Sequence, residues 1–277
     1  MKTWSIVKFK EAKGKSHLAC VTAYDYAFAR LADEAEIPLV LVGDSLGMTM
    51  LGYQSTLPVT MDDMLHHTEA VARGASKNTL VVGDMPFMTY QISIEEGLRN
   101  AGRLLQVGAD AVKMEGGKCR AELIHACVEM GIPVMGHIGL TPQSVNVLGG
   151  FKVQGKTMAA AKRLLEDAKA LEEAGVFAMV LECTPPDLTR VITESVAVPT
   201  IGVGAGPYAD MQMVVLHDML GFSDWVPKFI KKFASVGKTV KDAFRNYQEE
   251  VANGTYPSAE YSYKETGLDF SELKKDR

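Results

Sequence analysis

Short apolar runs alternate with helical stretches along most of the chain, and no other feature limits its fold more. Strand-like runs are expected at 18–23, 39–42, 79–82, 111–114, 133–138, 178–181, 200–203 and 211–216. Their length, their β-branched content and the Gly and Pro that bound them mark buried strands. Between them, apolar residues at helical spacing predict helices over 27–35, 61–73, 94–107, 122–130, 157–174 and 187–194, with a closing helix over 240–251. Three helix-to-strand junctions place a glycine just past the helix: Gly108, Gly131 and Gly175. Glycine there enters the left-handed conformation without a Cβ clash. Alternating strands and helices imply a parallel sheet with right-handed crossovers. Eight units within 277 residues fit a single (β/α)₈ TIM barrel, which takes about 250 residues. The alternative, a doubly wound open sheet, predicts a glycine-rich turn after the first strand, and Ala23-Tyr24-Asp25 is not one.

Composition narrows the function classes. With 47% hydrophobic residues the chain can bury a large core, and its net charge of −5 argues against a nucleic-acid partner. No apolar run approaches the roughly 20 residues that span a bilayer, so no membrane partner is expected. The charged stretch 1–15 lacks the apolar centre of a signal peptide. A soluble, cytoplasmic protein is therefore expected. Cys20, Cys119, Cys127 and Cys183 form no C-x-x-C pair and are expected as reduced thiols. The whole of 1–277 reads as one domain, with a polar tail from about 253 that is a surface wrap or a partner contact.

Four acidic residues end apolar runs: Asp44, Asp84, Glu115 and Glu182. Carboxylates at the ends of several buried strands converge, and like charges in a low-dielectric site need a cation or a raised pKa. Asp44 and Asp84 each follow a glycine and precede a long or Pro-containing connection. They can be helix N-caps or, with Glu115, ligands for a hard cation such as Mg²⁺, which takes one or two carboxylates. Lys113 and Glu115 are two apart and so share one strand face; an interior Lys–Glu pair without a ligand would be costly, which favours Lys113 as a cation for an anionic substrate. Glu182 is a rim ion pair or a general base. His137, in Gly136-His-Ile-Gly139, is a structural hydrogen bonder or a secondary catalytic group. His66 and His67 read as surface residues. Gly202-Val-Gly204-Ala-Gly206 reads as small residues that make room for a ligand or for close backbone packing, rather than as a phosphate loop. The two long connections, 45–60 and 139–156, follow the second and fifth strands, and both are expected at the C-terminal face, where barrel active sites lie.

Several stretches resemble the ketopantoate hydroxymethyltransferase family. They are Thr22-Ala-Tyr-Asp25, VGDSLGMTMLGYQSTLPVTMDDM at 42–64, GDMPF at 83–87, VKMEGG at 112–117 and HIGLTPQSVNVLGGFKVQGK at 137–156. LEC at 181–183, IGVGAG at 201–206, HDMLGF at 217–222 and the following VPKFIKKF complete the set, in one order from about 18 to 257. The resemblance implies a (β/α)₈ barrel that transfers a hydroxymethyl group from 5,10-methylenetetrahydrofolate to 3-methyl-2-oxobutanoate, giving 2-dehydropantoate on the route to pantothenate. It implies Mg²⁺ on Asp44 and Asp84 with Glu115 in or beside that shell, Ser45, Asp44, Asp84 and Lys113 as substrate contacts, and Glu182 as the base. It also suggests a homo-oligomer, a decamer. A phosphoenolpyruvate/pyruvate-type lyase or mutase, which enolises a 2-oxo acid on Mg²⁺, is the enzymatic alternative. A non-catalytic binding barrel leaves the clustered acids unexplained.

Overall fold

The computed structural model describes residues 2–274. Eight parallel strands close into a barrel in sequence order: β1 Leu18–Thr22, β2 Leu39–Val42, β3 Leu80–Asp84, β4 Ala111–Glu115, β5 Val134–Gly139, β6 Ala178–Glu182, β7 Thr200–Val203 and β8 Met211–Val214. The barrel is the expected TIM fold. The helices are α1 Ile6–Glu11, α2 Tyr26–Glu34, α3 Leu46–Thr49, α4 Met61–Gly74, α5 Ile94–Gln106, α6 Ala121–Glu129, α7 Val145–Leu148, α8 Met158–Glu173, α9 Pro186–Ser195, α10 Leu216–Met219 and α11 Val236–Ala252. The expected β8 is shortened, because Val215 is the N-cap residue of α10 and Leu216 begins that helix.

Period-2 alternation divides the core into two layers. Cys20, Leu39, Leu41, Leu80, Val82, Ala111, Met135, Ala178, Val180, Ile201, Met211 and Met213 fill the barrel interior. Their neighbours Val21, Val40, Val42, Val81, Val112, Met114, Val134, Met179 and Leu181 face the helices. Helix α1, which the sequence reading did not anticipate, joins the interior layer through Phe9; its ring meets Phe177 edge-on at 6.0 Å between centroids. Burying such a ring is worth about 1.5–3 kcal/mol.

The junction glycines sit at positive φ as expected; Gly108, for example, has φ +106°. There the Gly108 N–H donates to the Leu105 carbonyl at 3.0 Å and the Ala109 N–H to the Leu104 carbonyl at 3.1 Å. This pair of bonds satisfies the last carbonyls of α5 and turns the chain into β4. The closing helix α11 starts earlier than expected and buries no residue; Phe244 on it is 69% exposed. Among the described residues no helix is long and apolar enough to cross a membrane.

Candidate active site

The inward columns that carry aliphatic residues through the barrel end in polar ones at the C-terminal face. On β3 the column runs Leu80, Val82, Asp84; on β4 Ala111, Lys113, Glu115; on β5 Met135, His137; on β6 Ala178, Val180, Glu182. Parallel register sets Asp84 beside Lys113 and Glu115 beside His137. Asp44 follows β2, and its backbone N–H donates to Asp84 Oδ2 at 3.2 Å. These groups and Ser45 line one cavity of about 1040 Å³. The long connections contribute Met48, Thr56, Leu140 and Phe151 to the same cavity, so both open on the expected face.

Lys113 is the cation of the floor. Its Nζ donates to both oxygens of Asp84 at 2.8 Å and lies 3.7 Å from Glu115 Oε1. Asp84 and Lys113 are only 1% and 4% exposed. Burial disfavours the ammonium, but Asp84, Glu115 and Asp44 outweigh that and hold its pKa above the usual lysine value. Burial also raises Asp44 well above the usual carboxylate range, with the charges of Asp84 and Glu115 adding to the shift. Asp84 is raised as well, burial outweighing the Lys113 ammonium. Burial acts upward on Glu115 too, but Lys113 and His137 bring it below the usual range.

His137 lies between two carboxylates. Its Nδ1 is 3.4 Å from Glu115 Oε1 and its Nε2 is 3.2 Å from Glu182 Oε2. Neither contact has hydrogen-bond alignment, so both ring nitrogens and Glu115 Oε1 are buried without a partner. Burial and Lys113 oppose protonation of the ring, yet the flanking glutamates prevail and move its pKa to about 9. The adjacent Cys183 is held at φ +47°, a conformation a non-glycine residue adopts only where its surroundings impose it. It turns the chain immediately after Glu182.

A second set of polar residues, absent from the sequence reading, holds this floor together. The Gln143 side-chain amide donates to Asp44 Oδ2 at 2.9 Å and to the Met85 carbonyl at 2.8 Å. Its backbone N–H donates to Glu115 Oε2 at 3.0 Å. The Tyr90 hydroxyl donates to Gln143 Oε1 at 2.7 Å and accepts the Glu115 N–H at 3.0 Å. Gln143 thus ties the 139–156 connection to the ends of β2, β3 and β4. Its sequence signals were its place in a long connection and in the family-like stretch 137–156, neither of which singled it out. The Ser45 hydroxyl pairs with the Tyr24 hydroxyl at 2.8 Å. His66 is exposed, whereas His67 is half-buried and donates from Nδ1 to the Tyr24 carbonyl at 2.6 Å, a structural role. A Cβ at Gly204 would lie 2.8 Å from the Phe229 ring, so this glycine permits close packing. The four cysteines are unbridged.

Among the described residues no group of three His, Cys, Asp or Glu side chains is set to hold a metal ion. Two carboxylates are there, Asp44 and Asp84, buried and repelling one another. That donor set suits a hard ion that completes its shell with water and substrate oxygens. The residues present fit a hard divalent ion such as Mg²⁺, for which Asp44 and Asp84 would be the protein ligands. Glu115, engaged by Gln143 and close to His137 and Lys113, stands beside that pair.

A closed parallel barrel whose interior columns end in carboxylates, a lysine and a histidine at the strand C-termini defines a (β/α)₈-barrel enzyme. A family model described as Ketopantoate hydroxymethyltransferase matches residues 3–259. A relative from Clostridium novyi (strain NT), named 3-methyl-2-oxobutanoate hydroxymethyltransferase, is 58% identical over 263 residues, covering 94% of this chain and 95% of its own. One of the same name from Syntrophomonas wolfei is 54% identical, with 96% and 98% covered. The chain belongs to the ketopantoate hydroxymethyltransferase family and is a transferase. Solved structures with the same fold include a phosphonopyruvate hydrolase complex with oxalate and Mg²⁺, at TM-score 0.61, 14% identity and 94% and 93% coverage. Another is 2,3-dimethylmalate lyase, of the PEP mutase/isocitrate lyase superfamily, at TM-score 0.57, 16% identity and 96% and 90% coverage.

Proposed function

We propose that this chain transfers a hydroxymethyl group from 5,10-methylenetetrahydrofolate to 3-methyl-2-oxobutanoate, giving 2-dehydropantoate, with Mg²⁺ on Asp44 and Asp84 and Glu182 as the base. The observation that carries the reading is the division of charge on the cavity floor. A buried lysine and two strained carboxylates lie on the β2–β4 side, and a glutamate backed by His137 lies on the β6 side. An anionic 2-oxo acid fits between them with its carboxylate toward Lys113 and its C3 hydrogen toward Glu182. The bound divalent ion would supply Lewis-acid charge for the anion that develops as C3 loses its proton.

The chain's own groups do the rest. Glu182 takes the C3 proton; its side chain keeps limited contact with solvent, which gives the proton a way out. His137, held cationic by Glu115 and Glu182, lies 3.2 Å from Glu182 Oε2 and positions that carboxylate. Lys113 stabilises the developing negative charge, which is where stabilisation lowers a barrier. Gln143 fixes the carboxylates of Glu115 and Asp44 rather than reacting, and Ser45, its hydroxyl paired with Tyr24 on the cavity lining, is a substrate contact. The C3 carbon then bonds to the folate's methylene carbon, whose bonds to N5 and N10 break; water supplies the hydroxyl group and one proton, Glu182 returns the other, and tetrahydrofolate leaves. Glu115 we assign to holding His137 and Lys113.

Two further parts of the reading are coarser. The apolar stripe Val240, Phe244, Tyr247, Val251 on the uncovered α11 is read as a contact with another copy of the chain, in a homo-oligomer of the decameric type. The protein is placed in the cytoplasm, where such biosynthetic chemistry runs.

The test is Glu182→Gln. Expected is loss of 2-dehydropantoate formation by at least a thousandfold, with 2-oxo acid binding changed by less than threefold in calorimetry. Turnover at the wild-type rate would assign the base to another residue.

A further inference from the structure

The charged floor accounts for only part of the cavity. A five-carbon oxo acid is far smaller than about 1040 Å³, a volume at the upper end of the roughly 300–1,000 Å³ that holds a drug-sized ligand. The outer part is walled by Met48 of α3 and Met50 just past its end, by Phe151, and by Phe222, Trp225 and Phe229 from the segment after α10. Trp225 is 77% exposed and Phe151 56% exposed. Large aromatic side chains left on the rim of a cavity mark a ligand surface.

One carboxylate interrupts this apolar wall. Asp218 of α10 lines the cavity half-buried. Among the described residues no side chain donates a hydrogen bond to it, and the lysine that acts on it, Lys232, spends its Nζ on the Ser223 and Asp224 carbonyls at 2.7 Å. Burial raises the pKa of Asp218, which Lys232 only partly opposes. Its neighbour His217 supplies no compensating charge: the ring packs at a tilt against Phe222, 4.6 Å between centroids, and burial lowers its pKa. Left without a donor from the chain, a half-buried carboxylate on a cavity wall is available to a ligand that brings one.

We propose that this outer chamber seats the reduced pterin ring of the folate, with Asp218 accepting from the ring's 2-amino and N3–H donors and Phe222 and Trp225 covering its faces. The inference rests on the folate reading above and adds where the ring binds and what recognises it. Two adjacent N–H donors on one flat edge match the two oxygens of a carboxylate, and a flat ring suits aromatic walls. Lys228, also on the cavity lining, is the cation we assign to the folate's anionic glutamate tail. The floor stays free for the oxo acid, so both substrates fit at once.

Calorimetric titration of the full chain with tetrahydrofolate, and with the tail-less 6-methyltetrahydropterin, tests this. Asp218→Asn replaces one acceptor by a donor facing a donor and should raise Kd at least tenfold for both probes. Trp225→Ala, at an exposed position where misfolding is not a concern, should raise both at least fivefold. Lys228→Met should raise Kd for tetrahydrofolate and leave 6-methyltetrahydropterin within twofold. In all three variants, exchange of the C3 proton of 3-methyl-2-oxobutanoate should stay within threefold of wild type. Wild-type affinity for both probes in Asp218→Asn overturns the assignment, as does loss of C3 exchange in that variant. If the wild-type protein binds neither probe yet exchanges the C3 proton, the pterin site is refuted while the oxo-acid half of the functional reading stands.

Discussion

Lys113→Met removes the buried ammonium that faces Asp84, Asp44 and Glu115 and leaves a side chain of similar length. Asp84 loses two 2.8 Å hydrogen bonds at 1% exposure, so its charge cannot be replaced by solvent without opening the barrel mouth. Removing one partner of a buried ion pair costs about 3–5 kcal/mol. For a chain of this size 1 kcal/mol corresponds to about 2–4 °C, so the melting temperature should fall by about 6–20 °C at pH 8 in EDTA. The variant has an escape, which is to bind protons. Asp44 and Asp84 already stand above the usual carboxylate range through burial, and loss of Lys113 moves them further up. A group whose folded pKa exceeds its unfolded one contributes stability that is present at low pH and lost as pH rises through the folded value. The gap between variant and wild type should therefore widen from pH 5 to pH 8. Scanning calorimetry at the two pH values measures it. A penalty under about 1 kcal/mol, or an equal gap at both pH values, would refute the view that Lys113 neutralises a buried acidic cluster.

Two further substitutions probe the frame around the site. Gly139 has φ +96°, and a Cβ there would lie 2.2 Å from the Glu182 carbonyl oxygen; Gly139→Ala should displace the end of β6 and cut kcat at least tenfold, as measured by product formation, and unchanged kcat would show that Glu182 need not be held so closely. At the other end of the barrel, burial opposes ionisation of Asp210, but the Thr200 N–H and Lys13 hydrogen bonds outweigh it and lower its pKa. Its stabilising contribution is present above the unfolded pKa and is lost as the pH falls below about 4. Asp210→Asn should remove that part of the acid sensitivity in urea-midpoint measurements between pH 3 and pH 6, and an unchanged slope would contradict the assignment.

The barrel was legible because its causes are local. Aliphatic runs of four to six residues and a glycine after each of three helices state the strand, the helix end and the turn within a short window. The candidate site was legible for a related reason: an Asp, Lys, Glu or His on an inward column of otherwise aliphatic residues has no bland place to go. Gln143 and Tyr90 carry no such mark. They are ordinary polar residues in connections, and their roles arise from partners 25 to 99 positions away in sequence. Helix α1 was missed because three of its six residues are charged and its structural role rests on Phe9 meeting Phe177. Asp218 stood within a stretch that marked the family, but nothing near it in sequence shows that it faces a cavity without a donor. The early start of α11 was equally hidden, since a helix that buries nothing shows its apolar stripe without showing what the stripe meets.

Proton NMR of 3-methyl-2-oxobutanoate with the protein in D₂O, with and without Mg²⁺, tests the central claim most directly. The account predicts Mg²⁺-dependent loss of the C3 proton signal in the wild-type protein and none in Glu182→Gln. Exchange in Glu182→Gln at the wild-type rate, or wild-type exchange that Mg²⁺ does not change, would contradict a Glu182 base working beside a cation on Asp44 and Asp84.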